Sequence, residues 1–181
     1  MFIRDGYNAT TMARIADQAG VAVQTVYFVF HTKGQLLNQV FEAAVLGENG
    51  PTPPEQSPWY YKAISTDDGR EAVATFVQGA ADILRRTGPL EAVIQTAKHT
   101  EPAVHASHEH GERLRIDGYR RFVHSLEKRG LLSPSTDAEE STDVLLTLLG
   151  PATYTTLTRD RKWKHTQFVD WASRAVAQLL L

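Results

Sequence analysis

The sequence predicts an all-α protein: a small N-terminal helix-turn-helix unit of three helices over residues 1–46, and a larger helical domain over 59–181. Three observations carry that prediction. Apolar residues recur at helical spacing almost throughout, and no segment alternates with the period of a strand. Residues 10–40 read as two short helical patterns around Ala19-Gly20-Val21, followed at once by a third helix with its own cap. Between Gly47 and Pro58 the chain spends four prolines and two glycines in twelve positions, which no helix tolerates. A long loop or domain boundary is expected there.

At 181 residues the chain is long enough for one or two domains with a real core. Its formal charge of −2 gives no gross basic signal for nucleic acid. The first 46 residues balance as well, Arg4, Arg14 and Lys33 against Asp5, Asp17 and Glu42. Any argument for DNA must therefore rest on geometry. The sequence has no cysteine, which removes disulfides, thiolate metal sites and thiol nucleophiles. It has no apolar run that would span a bilayer and no secretory profile at its start, so a cytoplasmic protein is expected.

In the first unit, Thr10 or Thr11 caps a helix whose inward stripe is Met12, Ile15, Ala16 and Ala19. Gly20 permits the left-handed turn that ends it. The next segment, Thr25-Val26-Tyr27-Phe28-Val29-Phe30, is β-branched and aromatic, and propensity alone favours a strand. Yet Val23, Val26, Tyr27 and Phe30 stand at i, i+3, i+4 and i+7, the spacing of one helix face. No other segment offers a partner strand, so a helix is expected. Thr32 and Gln35 form a capping box that restarts a helix two residues later.

In the second unit, Asp68 opens a helix with Glu71 as its capping-box partner. Val73, Phe76, Val77, Ala80, Ile83 and Leu84 follow, and Gly88-Pro89 is expected to end it. A short helix from Ala92 to His99 comes next. Pro102 starts another long one, with Tyr119, Phe122, Val123 and Leu126 on one face and Gly130 as its stop. Thr136 and Glu139 read as a capping box ahead of Val144, Leu145, Leu148, Leu149 and Ala152. Pro151 falls inside that run and is expected to bend it. The last helix begins near Thr166 and carries Phe168, Ala172, Ala175, Val176 and Leu179 on one side.

A helix pair of this kind places its second member in the major groove, front residues on base edges, flanking helix ends on phosphates. Gly6-Tyr7, Ala9-Thr10-Thr11, Ile15-Ala16, Ala19-Gly20-Val21, Thr25-Val26-Tyr27, Phe30 and Lys33 together closely resemble the DNA-binding domain of the TetR/AcrR family of transcriptional repressors. The C-terminal half resembles the same family through Leu148-Leu149-Gly150-Pro151, Tyr154, Leu157, Trp163, Phe168, Trp171 and the closing Leu179-Leu180-Leu181.

The resemblance implies a ligand-responsive regulator that is a homodimer, binds a double-stranded DNA operator and leaves it when a small molecule binds. Thr11 matches a phosphate-contacting position. Gln24 and Thr25 match positions that meet bases and backbone; a glutamine amide suits adenine and a threonine methyl suits thymine. Tyr27 matches a tyrosine on phosphate, and Lys33 a lysine at a helix N-terminus, where charge and free N–H groups both favour phosphate. His31 lies between them and adds a weaker contact. The chain departs from the family pattern at Ala22, where a serine-like cap is usual, at Phe28, usually polar or charged, and at Val29, usually histidine or tyrosine. It begins part-way through the family's first helix, so a truncated first helix without the basic arm is expected.

The resemblance makes residues 59–181 a ligand-binding and dimerisation domain. Expected pocket residues are Phe76, Ile83, Ile94, His99, Tyr119, Phe122, Leu149 and Tyr154, mostly apolar, with His99 and the tyrosines as polar contacts. Expected dimer residues are Leu145, Leu148, Ala152, Trp171, Ala172, Val176 and Leu179; the alternative for such a stripe is burial within one subunit. No cofactor, catalytic group or metal site is expected. Two other readings stand beside this one. His105, His108 and Glu112 share helical spacing and could hold a metal in a helical enzyme. Alternatively the chain is a ligand-binding protein whose DNA-binding domain is vestigial.

Overall fold

The computed structural model describes residues 1–47 and 52–181. Four helices come first: α1 (Phe2–Ala9), α2 (Met12–Ala19), α3 (Val23–Phe30) and α4 (Lys33–Leu46). After a 3-10 turn at Pro54–Gln56 come α5 (Pro58–Ser65), α6 (Gly69–Ala97) and α7 (Pro102–Lys128). Then α8 (Ala138–Leu148), α9 (Pro151–Thr155) with a π-helical turn at Thr156–Asp160, and α10 (His165–Leu180) complete the chain. No strand occurs among the described residues, and the all-α expectation holds.

Local chemistry explains the ends of these elements. The α2 cap is Thr11, whose hydroxyl accepts from the Arg14 N–H at 3.2 Å. Thr10 is instead fully buried and donates to the Gly6 carbonyl at 2.8 Å. Gly20 closes α2 in the left-handed region, at φ 68°, a conformation that costs any residue with a Cβ. α3 starts at Ala22 with no side-chain cap. Thr32 caps α4 by accepting from the Gln35 N–H. Asp68 caps α6, accepting from Arg70 and Glu71 N–H. The Glu71 carboxylate does not close the capping box; it takes the Thr66 hydroxyl and Lys62.

Other expectations fail. Gly88-Pro89 does not end a helix, because α6 runs unbroken to Ala97 with Pro89 inside it, so the separate helix from Ala92 is the last part of α6. Both flanks of the proline are anchored, Leu84 on one side and Leu90 and Val93 on the other, all buried. The α8 cap is Asp137, accepting from Glu139 and Glu140 N–H, rather than Thr136. Pro151 does not bend a helix: α8 ends at Leu148, and Pro151 opens α9 from its first turn, where a missing N–H costs nothing. The proline-rich break falls where it is expected, with α4 ending at Leu46 and α5 beginning at Pro58. Its residues 48–51 lie outside the described residues, and Pro58 heads α5 behind Ser57.

Two apolar clusters organise the molecule. The larger joins α5, α6, α7, α8, α9 and α10 around Phe76, Phe122, Phe168, Leu126, Leu145, Leu149 and Leu180. The smaller is the N-terminal core: Phe2, Tyr7, Met12, Ala16, Val26, Leu36 and Leu37, completed by Val93, Ile94 and Ala97 of α6 and Val104 of α7. The small N-terminal unit therefore does not close on itself. Its last wall is the far end of the central helix of the larger unit.

Polar contacts reinforce that seam. Arg86 of α6 donates to the Ala44 and Val45 carbonyls at 2.7 and 2.9 Å, satisfying the end of α4. Asn38 donates to the Ala103 carbonyl at 3.0 Å. A cation on the last carbonyls of a helix suits both their orphan lone pairs and the helix dipole.

Candidate nucleic-acid interface

Helices α2 and α3 are joined by the three-residue turn expected of a helix-turn-helix, and α3 packs through one face only. Val26 is buried, while Val23 and Phe30 are half-buried against the small core. Gln24 and Thr25, at the front of α3, are both exposed. Tyr27 stands on the apolar stripe by spacing, but the structure turns it outward at 51 % exposure, which leaves its hydroxyl available to a phosphate.

The exit from α3 is tight. His31 adopts φ 55° and ψ −52°, and the Thr32 N–H donates to the Phe30 carbonyl at 2.5 Å. That is a γ-turn of the strained kind, and strain of this sort persists only where surrounding packing holds it. It presents the His31 ring, which is exposed, beside the end of α3. Thr11, the α2 cap, is exposed as well. Thr11, Gln24, Thr25, Tyr27 and His31 are thus all solvent-accessible.

Lys33 differs. It is half-buried, its Nζ donates to the Tyr7 carbonyl at 2.9 Å, and the ammonium lies 4.0 Å from the centre of the Tyr7 ring. Its charge ties α4 to α1 before it meets any ligand. Arg14 is also engaged, on the Ala9 carbonyl and Asp5, and Arg4 pairs with Asp5. The hydrogen bond from Arg4, assisted by Arg14, holds the Asp5 carboxyl down at about 2. Arg4, Arg14 and Lys33 each have a partner within the fold. Sequence reasoning missed the other consequence: the outward face of α3 is apolar, with Phe28 82 % exposed and Val29 51 %. Helical spacing marks the inward stripe through Val23, Val26 and Phe30 and leaves the opposite face undefined.

In the larger unit the expected pocket residues separate. Phe76 and Phe122 stack with ring centres 4.0 Å apart. Tyr119 meets Phe76 edge-on and donates to the Leu149 carbonyl at 3.2 Å. Burial pushes the Tyr119 phenol up to about 12. Phe76, Tyr119, Phe122, Leu149 and Tyr154 are buried in the larger core. Ile94 belongs to the N-terminal core, Ile83 is half-buried, and His99 is exposed. Ile94 and His99 thus lie apart from the five residues that share the larger core. Open clefts of about 360 and 420 Å³ lie elsewhere, the first between Phe2, Ile15, Leu36 and Leu90, the second beside Arg121, His124, Ser125 and Lys128.

Among the described residues of this unit three buried polar side-chain atoms make no hydrogen bond, on Arg115, Thr155 and His165, the last lying within ion-pair distance of Asp82. Arg115 gives its Nε and one terminal nitrogen to Glu112 at 3.2 and 2.7 Å, and lies over the Tyr119 ring. Its other terminal nitrogen, Nη1, is buried and unpaired, as is the Thr155 hydroxyl. An unpaired buried donor costs about 1–3 kcal/mol, a cost that an incoming acceptor would remove. Nearby, the Tyr154 hydroxyl lies 2.9 Å from His165 Nδ1, whose ring faces Asp82 at 3.2 Å. Burial lowers the His165 pKa, and Asp82 opposes that shift.

The expected dimer stripe also divides. Leu145, Ala172 and Val176 are fully buried within the chain's own core, and so do not face a partner. Leu179 is 52 % exposed, Ala152 is exposed, and Leu148 and Trp171 are half-buried. The histidine cluster resolves as surface pairing: His105 with Glu109 at 3.3 Å, and Glu112 with Arg115. No group of three metal-ligating side chains occurs among the described residues. No helix among them is long and apolar enough to cross a membrane.

An exposed helix α3 on a head of four helices rather than the three expected, seated on the end of a long helix from a second helical bundle, makes a two-unit helical fold. Residues 1–40 match the model for bacterial regulatory proteins of the tetR family. The N-terminal unit is thus similar to the tetR-family model over those residues, and the whole chain has the fold of solved TetR-family regulators. NalD, the secondary repressor of the MexAB-OprM multidrug efflux pump in Pseudomonas aeruginosa, superimposes with a TM-score of 0.70 at 18 % identity, over 99 % of this chain and 89 % of its own. The TetR family transcriptional regulator PfmR from Thermus thermophilus does so with a TM-score of 0.66 at 16 % identity, over 99 % and 92 %. No curated relative matches the chain.

Proposed function

We propose that this protein is a homodimeric, ligand-responsive transcriptional regulator of the cytoplasm. It represses by holding an operator through residues 1–46 and releases it when a small molecule binds within 59–181. The observation that carries this reading is the outward placement of Gln24 and Thr25 at the front of α3, in a segment that matches the tetR family. Two subunits would place two such helices in major grooves roughly 34–36 Å apart. Leu148, Ala152, Trp171 and Leu179 supply the accessible apolar surface for pairing. Thr11, Tyr27 and His31 meet backbone phosphates beside them, and Lys33 contributes from the first turn of α4.

The effector enters the larger unit beside α7 and α9, where the unpaired Arg115 and Thr155 groups supply polar contacts. Its effect reaches the head through α6, which lines both cores and holds α4 through Arg86. Such coupling needs only about 1–3 kcal/mol of differential affinity.

A gel-shift experiment with duplexes from the chain's own genomic neighbourhood tests the reading. The native protein should retard one duplex specifically. The double variant Gln24→Ala/Thr25→Ala should lose roughly tenfold or more of that affinity, since a good base contact is worth about 1–3 kcal/mol. No sequence-specific retardation by the native chain would sink the proposal.

The seam has its own test. Arg86→Met keeps the stem and removes the charge that closes α4. All three tryptophans lie in the larger unit, at 59, 163 and 171. In urea, tryptophan fluorescence and helical circular dichroism should give coincident transitions for the native chain. In Arg86→Met the dichroism should begin to fall first, as the head loosens before the bundle, with about 1–3 kcal/mol lost for the charged hydrogen bonds. Coincident curves in the variant would show that Arg86 does not hold the two units together.

A further inference from the structure

Helix α3 presents carbon to solvent instead of charge. From Val21 to Phe30 there is no lysine, arginine, aspartate or glutamate. In their place stand exposed apolar side chains: Phe28 at 82 %, Val29 and Tyr27 each at 51 %, and Val21 at 44 % in the turn before. Val26, on the opposite side, already satisfies the core. Nothing within the fold accounts for a phenyl ring held almost wholly in water, since burying such a ring is favourable wherever a partner exists.

Gln24 and Phe28 are four residues apart and so share one helix face, with Thr25 flanking them. The face therefore continues the surface assigned to DNA. In the major groove, guanine is read by the bidentate donors of arginine or lysine, which α3 lacks. The one apolar group on any base edge there is the 5-methyl of thymine.

We propose that Phe28 is a specificity-determining residue that packs against thymine 5-methyl groups, flanked by Val29 and the Thr25 methyl. The operator half-site is then built on T·A pairs, with adenine available to the Gln24 amide. This inference rests on the DNA-binding reading above and names the sequence class it selects.

The test uses the full chain and a randomised duplex library, with the retained duplexes sequenced. The recovered half-sites should centre on T·A pairs. The best duplex is then remade with uracil for thymine, which removes only the methyl groups and leaves every hydrogen-bonding edge intact. Affinity should fall about fourfold for each methyl in contact, the value of burying one carbon. The Phe28→Ala variant, changed at an exposed position, should bind the thymine and uracil duplexes alike. Equal affinity of the native chain for both duplexes, or half-sites centred on G·C pairs, would overturn the proposal. A Phe28→Ala variant that changes oligomeric state in sedimentation and leaves duplex affinity intact would overturn it too, assigning the face to a second copy of the chain. Retention of no duplex at all would instead remove the DNA-binding reading on which the inference stands.

Discussion

Phe122→Ala is expected to remove about 3–5 kcal/mol of folding stability, the usual cost of emptying a buried phenyl site. Phe122 is fully buried and lies flat on Phe76, which Tyr119 and Trp59 meet edge-on. Phe76 thus sits at the centre of an aromatic layer that joins α5, α6 and α7, and Phe122 covers one of its faces. Removing the Phe122 ring deletes the stacking contact and leaves a void whose walls are helices fixed elsewhere, so collapse is limited. Urea unfolding followed by tryptophan fluorescence measures the loss. A change below about 1 kcal/mol would mean that the layer repacks freely. The resulting cavity is apolar, and such voids bind benzene. Saturating benzene should therefore raise the melting temperature of the variant and leave the native chain unchanged.

That layer also shows how far the sequence could be read. The helical spacing of Phe76, Val77, Ala80 and Leu84 located an apolar face on α6, and the face exists. Spacing could not say which core each part of the face enters. Phe76 went to the bundle and Ile94, eighteen residues on, to the head, because one long helix serves both. The same limit applies to the dimer stripe. On α10, Ala172 and Val176 turn inward and Leu179 outward. All three are apolar at helical spacing, and only the neighbouring helices decide which side faces the core. Proline was over-read at Pro89 and Pro151, since its effect depends on whether a helix begins there or is held on both flanks. The head was legible at finer grain. Caps and a left-handed glycine are local signals, and Thr11, Gly20 and Thr32 act where local chemistry places them. The internal engagement of Lys33 was not legible, because Tyr7 is distant in sequence and meets it only after α1 has folded back.

Gly79→Ala tests the remaining long-range contact, the docking of α5 on α6. By helix propensity alone the change should stabilise α6 by about 1 kcal/mol. The structure reverses the sign. A methyl group on Gly79 would overlap the Trp59 indole, at Cδ2, Cε3 and Cε2. The indole cannot retreat, because it meets Phe76 at 6.0 Å and Tyr60 at 5.6 Å between ring centres. Tyr60 is itself held by its hydroxyl donating to the Gly118 carbonyl at 2.7 Å. Overpacking of a closed core costs about 1–3 kcal/mol, and here it must also exceed the propensity gain. The net expectation is a loss of about 1–2 kcal/mol, read from circular dichroism in urea. Trp59→Leu should remove the conflict. In that background Gly79→Ala should be neutral or stabilising, giving a coupling energy that additive sites would not show. A stabilising effect of Gly79→Ala in the native background would mean that α5 does not rest on this face, and that the aromatic layer closes over α6 in some other way.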